Sequence, residues 1–223
     1  MRGVFVTGTD TGVGKSIVSA AICAALAARG ERVAAFKPVV TGLDERPGDW
    51  PRDHELLAAV ADSGQVPTDV VVHLFGPPVS PHYAAELADV AIEPPDLLAH
   101  ARALAEDADA LVCEGVGGLL VPLTPGYLIR DLALDLHLPL VIAARPGLGT
   151  INHTLLTLEA ARAGGLDPVG VVMTPWPAGD ELAVSNRETV ESIGNVKVSE
   201  LAPVTPAELA GAGAALPLDD WLG

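Results

Sequence analysis

The run Val6–Ser16, VTGTDTGVGKS, ends in Gly14-Lys15-Ser16. A glycine, a lysine and a hydroxyl in that order are what a phosphate-binding loop needs. The glycines let backbone N–H groups converge on an anion, the ammonium meets β- and γ-phosphate oxygens, and the hydroxyl ligates Mg²⁺. The usual spacing, G-x-x-x-x-G-K-[ST], demands a glycine at position 9. Thr9 stands there, and Gly8 comes one residue early. The loop is one residue wider, and Thr9, Asp10 and Thr11 bring side chains to its mouth.

Lysine is scarce: Lys15, Lys37 and Lys197 are the only three, and arginine supplies the other ten positive charges. Lys37, in FKPVVTG (36–42), is read as a strand-end ammonium beside a nucleotide crevice, aimed by the extended backbone that Pro38 imposes on it. In LVCEGVGG (111–118) an apolar strand ends in Glu114 before the turn Gly115-Val116-Gly117. A carboxylate at such a tip suits a Mg²⁺ ligand or a water orienter. Asp49 and Asp53 follow Thr41, and either could be a second metal ligand. Asp53 also fits as the N-cap of HELLAAVA. The six histidines have no zinc-ligand spacing, and no G-x-S-x-G elbow occurs, which argues against a metalloprotease or a hydrolytic triad.

The elements that must position these residues alternate. Strands are expected at 3–8, 32–40, 69–74, 109–113, 139–144 and 168–173. Helices are expected at 16–30 and near 53–62, 81–89, 95–107, 127–136, 150–163 and 180–193. Apolar strands alternating with helices predict an α/β fold, a mostly parallel sheet with helices on both faces. The Pro/Gly-rich pieces 43–52, 76–81, 122–126 and 174–179 read as functional loops, and the chain after 195 is poorly patterned. A length of 223 residues with 49% hydrophobic content suits one domain over 1–223. A formal net charge of -16 disfavours nucleic acid and anionic membrane as partners. Cys23 and Cys113 lie in apolar runs and read as reduced core residues. With no signal peptide and no long apolar run, a cytoplasmic protein is expected.

Five segments in order, GTDTGVGKS, KPVVTG, SPHYAA, CEGVGG and GLGTINHTLLT, closely resemble the dethiobiotin synthetase family over residues 8–157. The widened loop is that family's own form. The resemblance implies a P-loop NTPase-like fold and an ATP- and Mg²⁺-dependent cyclo-ligase of biotin biosynthesis. Its substrates would be 7,8-diaminopelargonate, CO₂ or bicarbonate, and ATP or another nucleoside triphosphate. The resemblance assigns nucleotide contacts to Thr11, Gly12, Val13, Gly14, Lys15, Ser16 and Ile17. Further nucleotide contacts are Asp49 or Asp53, Glu114, Gly115, Val116, Gly117, Thr174 and Pro175. Metal ligands are Ser16, Glu114 and one of Asp49 or Asp53, with Asp53 ranked first by pattern. Lys15 and Lys37 are the catalytic cations, and Thr11, Lys37 and Thr41 hold the carbamate. Gly147, Leu148, Gly149 and Asn152 reach the substrate's carboxylate tail near the interface of a homodimer.

Three departures stand against the pattern. Met173-Thr174-Pro175 occupies the place of an adenine-reading asparagine, so the nucleotide base is expected to be selected loosely, or not for adenine. The later G-x-[IL]-P turn is absent, with VSELAPV (198–204) the nearest match. An aromatic expected around 184–187 is replaced by Val-Ser-Asn-Arg. Cobyrinate diamide synthases, the runner-up, need a glutaminase domain for which too few residues follow position 200. Partitioning ATPases expect lysine where Asp10 stands.

Overall fold

The computed structural model describes residues 1–46 and 48–222. The elements run β1 (Gly3–Gly8), α1 (Lys15–Ala28), β2 (Val33–Val40), α2 (Asp53–Val60), α3 (Pro67–Val70), β3 (Val71–Leu74), α4 (Pro81–Leu87) and α5 (Pro94–Glu106). Then come β4 (Ala110–Gly118), β5 (Pro122–Thr124), β6 (Tyr127–Leu128), α6 (Ile129–Leu136), β7 (Leu140–Ala144), α7 (Thr150–Ala163) and β8 (Pro168–Met173). The last are α8 (Glu181–Gly194), β9 (Val198–Glu200), α9 (Leu209–Ala214) and α10 (Leu218–Leu222). Seven strands form one sheet in the order β3-β2-β4-β1-β7-β8-β9, every pairing parallel. The expected α/β architecture holds.

The strands are apolar throughout because both faces are covered. Side chains alternate between two cores. Val4 and Val6 of β1, with Val33 and Ala35 of β2, pack with Ile22 and Leu26 of α1. Phe5 and Phe36 face the other way, with Leu97 of α5, Leu132 of α6 and Leu158 of α7. Cys23 and Cys113 are buried and free, as read from their apolar surroundings.

Differences from the sequence reading have local causes. The strand expected at 69–74 begins at Val71, because Pro67 starts the helical turn α3. The stretch 122–128, expected to be loop running into helix, pairs with itself as a short antiparallel ribbon. The chain after 195 is ordered rather than idle. β9 joins the sheet edge, and Gly213 of α9 lies so close to α1 that a Cβ there would sit 1.9 Å from the Ala21 carbonyl oxygen. Leu209, Leu218 and Trp221 are buried there. Each such side chain contributes about 1.5–3 kcal/mol of burial.

The central position of β1 governs the site. Its neighbours β4 and β7 continue on either side, so the loop after Gly8 stands between two strand ends. β2 pairs with β4 only over Val33–Phe36. Beyond Phe36 the two strands part, and the pairing of β1 with β4 slips after Val6–Glu114. The gap that opens receives the side chains of Lys37 and Glu114.

Candidate active site

The loop 9–14 folds back tightly over the end of β1. A Cβ on Gly8 would meet the Asp10 carbonyl oxygen at 2.8 Å. Gly14 has φ of 92° and faces the Thr174 methyl, which a Cβ would approach to 2.5 Å. Both positions therefore require glycine. α1 starts at Lys15, so the free N–H groups of its first turn face the loop's interior. The Lys15 ammonium donates to the Asp10 carbonyl oxygen at 3.0 Å. Burial, and then repulsion from Lys37, lower the pKa of Lys15 to about 8.

At the other end of the loop four side chains converge. The Lys37 ammonium, 3% exposed, donates to Glu114 Oε1 at 2.6 Å and lies 2.8 Å from Asp53 Oδ2. Ser16 Oγ lies 2.7 Å from Asp53 Oδ1 and 2.9 Å from Glu114 Oε1. Burial alone would lower the Lys37 pKa, but Asp53 and Glu114 outweigh it and raise it. Burial works to raise the Asp53 pKa, yet Lys37 draws it down to about 2. For Glu114 burial prevails, and its carboxyl is pushed above the ordinary range.

This cluster is rich in oxygen and short of protons. A hydroxyl has one proton to donate, so Ser16 cannot satisfy both carboxylates at once. Glu114 Oε2 is buried with no partner. A hard cation resolves both deficits, and two carboxylates with a hydroxyl, completed by phosphate oxygens, are the donors Mg²⁺ takes. The residues present fit that ion. Among the described residues no set of three or more acids, histidines or cysteines could cage a metal without such a ligand.

A cleft of about 670 Å³ opens above the cluster, lined by Thr11, Gly12, Gly14, Lys15, Ser16, Ile17, Lys37, Thr41, Asp53, Val116 and Gly117. These are sequence candidates brought together. Gly115 joins through its carbonyl oxygen, 3.4 Å from the Lys37 ammonium. Asp49 does not join: it is exposed and outside the cleft, while Asp53 is swung inward by the start of α2. Lys37 lies inside β2 rather than at its end, and Glu114 likewise lies inside β4. Both side chains reach the site because their strands diverge there.

A second cleft, about 330 Å³, lies on the other side of the loop, between it and the β7–α7 turn. Val13, Gly147, Leu148 and Pro175 line it together with Asp10, Arg145 and His153. Thr174 does not line it. At 3% exposed it props Gly14 from behind, so its hydroxyl is not offered to a base. Gly149 and Asn152 are exposed at the start of α7, beside this cleft rather than in its wall.

Several wall residues escaped the sequence reading. Trp50, Pro78, Val79 and Ser80 close the larger cleft, and Arg145 donates to the Thr11 carbonyl oxygen at 2.9 Å. Trp50 carried a usable signal: it is one of three tryptophans and sits in a Pro/Gly-rich loop after Lys37. Arg145 follows directly on an apolar strand, as Glu114 follows Cys113, and the same logic would have flagged it.

A family model described as an AAA domain matches residues 2–206. The ATP-dependent dethiobiotin synthetase of Anoxybacillus flavithermus is 40% identical over 201 residues, covering 89% of this chain and 90% of that protein. The ATP-dependent dethiobiotin synthetase of Anaeromyxobacter dehalogenans is 42% identical over 184 residues, 82% of this chain and 81% of that one. Among solved structures, the MinC:MinD cell division complex of Aquifex aeolicus aligns with a TM-score of 0.60. That alignment covers 100% of this chain and 94% of the other at 13% identity, and it bears on the fold alone.

Proposed function

The chain belongs to the dethiobiotin synthetase family, and from that premise we propose which of its residues carry the chemistry. It is an ATP-dependent cyclo-ligase of biotin biosynthesis, with ATP as co-substrate and a requirement for Mg²⁺. The substrates are 7,8-diaminopelargonate, CO₂ and ATP.

In the proposed sequence one amine of the diamine bonds to the carbon of CO₂ and loses a proton, giving a carbamate. A carbamate oxygen takes the γ-phosphoryl group and ADP departs. The second amine attacks the carbonyl carbon of this mixed anhydride, phosphate leaves, and the ureido ring is closed. Each stage moves negative charge between oxygens, so the site needs fixed cations and donors more than a strong base. Lys15 and the N–H groups of residues 12–17 hold the β- and γ-phosphates. Lys37 sits between carbamate and γ-phosphate and neutralises both, with Thr11 and Thr41 donating to the carbamate. Ser16, Asp53 and Glu114 are the residues that would hold Mg²⁺, whose charge neutralises the phosphate oxygens. Gly115, Val116 and Gly117 flank the nucleotide, and Pro175 borders its base.

The observation that carries this reading is the Lys37–Asp53–Glu114–Ser16 cluster, with Lys37 and Glu114 buried and one Glu114 oxygen unpartnered, at the end of a phosphate loop. We further propose a homodimer, with Gly147, Leu148, Gly149 and Asn152 receiving the substrate's carboxylate tail near the interface. Leu148, 92% exposed at the tip of that turn, and Leu156, exposed on α7, support it. A single domain in the cytoplasm completes the proposal; among the described residues no helix is long and apolar enough to cross a membrane.

The test is a ring-closure assay with 7,8-diaminopelargonate, bicarbonate, ATP and Mg²⁺. Dethiobiotin and one ADP should form together, and omitting the diamine should stop both. ADP release that ignores the diamine would overturn the reading.

A further inference from the structure

We infer that Asn186 is a positioning residue: its side-chain amide holds the β7–α7 turn in the shape that receives the carboxylate tail. The inference rests on the tail contacts proposed above. Asn186 lies on α8 and is 5% exposed, the one buried Asn or Gln among the described residues. Its Nδ2 donates to the Pro146 carbonyl oxygen at 2.8 Å and the Gly147 carbonyl oxygen at 3.3 Å. Two carbonyls can be served only by the NH₂ end of the amide, which fixes the side chain's orientation.

The consequence follows from the planarity of the peptide unit. In a trans peptide the C=O of one residue and the N–H of the next point in opposite directions. Drawing the carbonyls of residues 146 and 147 toward α8 therefore turns the N–H groups of Gly147 and Leu148 away from it. Neither N–H has an acceptor among the described residues, and both residues are exposed on the wall of the smaller cleft. Gly149, with φ of 91°, then turns the chain into α7. Two adjacent free donors beside the first turn of a helix suit a carboxylate. Asn186 touches no substrate in this account. It acts by aiming backbone donors that do, from the stretch 184–187 where the expected aromatic is missing.

The test uses the intact enzyme, Asn186→Asp, which keeps the shape and loses both donors, and Asn186→Ser, which keeps one. KM for 7,8-diaminopelargonate should rise about tenfold or more in the first variant and less in the second. The values of kcat and of KM for ATP should stay within about twofold. An analogue of the diamine with a methyl group in place of the carboxylate separates positioning from general loosening. Wild type should bind it more weakly than the acid, and the variants should treat it as wild type does. An unchanged KM for the acid in Asn186→Asp would overturn the inference and leave the tail contacts standing. Equal KM values for acid and analogue in wild type would remove the tail contacts themselves. Equal losses for acid and analogue, or failure of both variants to fold, would make Asn186 a structural residue only.

Discussion

The two clefts flanking the phosphate loop are made of different materials. The larger opens over side chains of fixed chemical type: two ammonium groups, two carboxylates and a hydroxyl, mostly buried and mutually compensating. The smaller has much of its wall in the path of the backbone, with Pro146, Gly147, Leu148 and Pro175 around the exposed side chains of Asp10, Arg145 and His153. A charge-transfer site cannot exchange lysine for another residue without losing its function. A cleft of backbone donors tolerates many sequences, provided the turn keeps its shape.

The sharpest way to break this contrast is to remove a charge from the larger cleft. Lys37→Ala should lose about 3–4 kcal/mol of barrier lowering, roughly 10²–10³ in kcat. The variant should still fold, because Glu114, already pushed up by burial, takes a proton when the ammonium is gone. Steady-state rates within a few-fold of wild type would mean that the buried cluster is structural. Next in size is Glu114→Gln, which keeps shape and removes charge. Affinity for the Mg²⁺–nucleotide complex should fall by roughly 10–100-fold, and metal-free nucleotide should lose far less. Calorimetry with Mg²⁺ and with EDTA makes the comparison; equal losses would take Glu114 out of the metal site.

A smaller effect is set by Lys15. In the free protein it loses its proton at about 8, below the ordinary lysine value of 10.5. Bound triphosphate favours the ammonium, so binding above that pH must take up a proton. Nucleotide affinity should be level below pH about 8 and fall by up to about tenfold per unit above it. Titrations at pH about 9 in buffers of different ionisation enthalpy should register the uptake, and affinity flat to pH about 10 would contradict it. The smallest effect belongs to the smaller cleft's border. With Thr174 buried behind Gly14 and Pro175 lacking an N–H, no paired donor and acceptor greet a base there. Values of kcat/KM for ATP, GTP, CTP and UTP should lie within about tenfold of one another. A lead for ATP of more than about 100-fold, some 2.7 kcal/mol, would reveal a base-reading group elsewhere.

The same contrast governs what the sequence disclosed. Lys15, Ser16, Lys37 and Glu114 were legible because a scarce lysine or an acid at an apolar strand's tip has few uses. Asp53 ranked above Asp49 only by the family pattern of an acid leading a helix; the residues themselves left the choice open, since it depends on how a Pro/Gly-rich loop folds back. The strands were legible from their apolar runs, whereas Val71 as a strand start depended on a proline-led turn. The chain after 195 was opaque for a different reason. α9, LAGAGA, carries little hydrophobic pattern because it packs through glycine and alanine against the backbone of α1. Arg145 and Asn186 act on carbonyl oxygens, and a carbonyl has no letter in the sequence.

That close seat of α9 on α1 has a consequence for synthesis. A chain leaves the ribosome from its N-terminus at roughly 5–20 residues per second. α1 is made well before the helices that cover its outer side, which follow on the order of tens of seconds later. Throughout that interval Ala21 and Ala25 of α1 lack their cover, and Gly170 of β8 lacks its own for the shorter time until Trp221 is made. In chain order, the helix that the phosphate loop opens waits for α9, at Leu209–Ala214, to seal it.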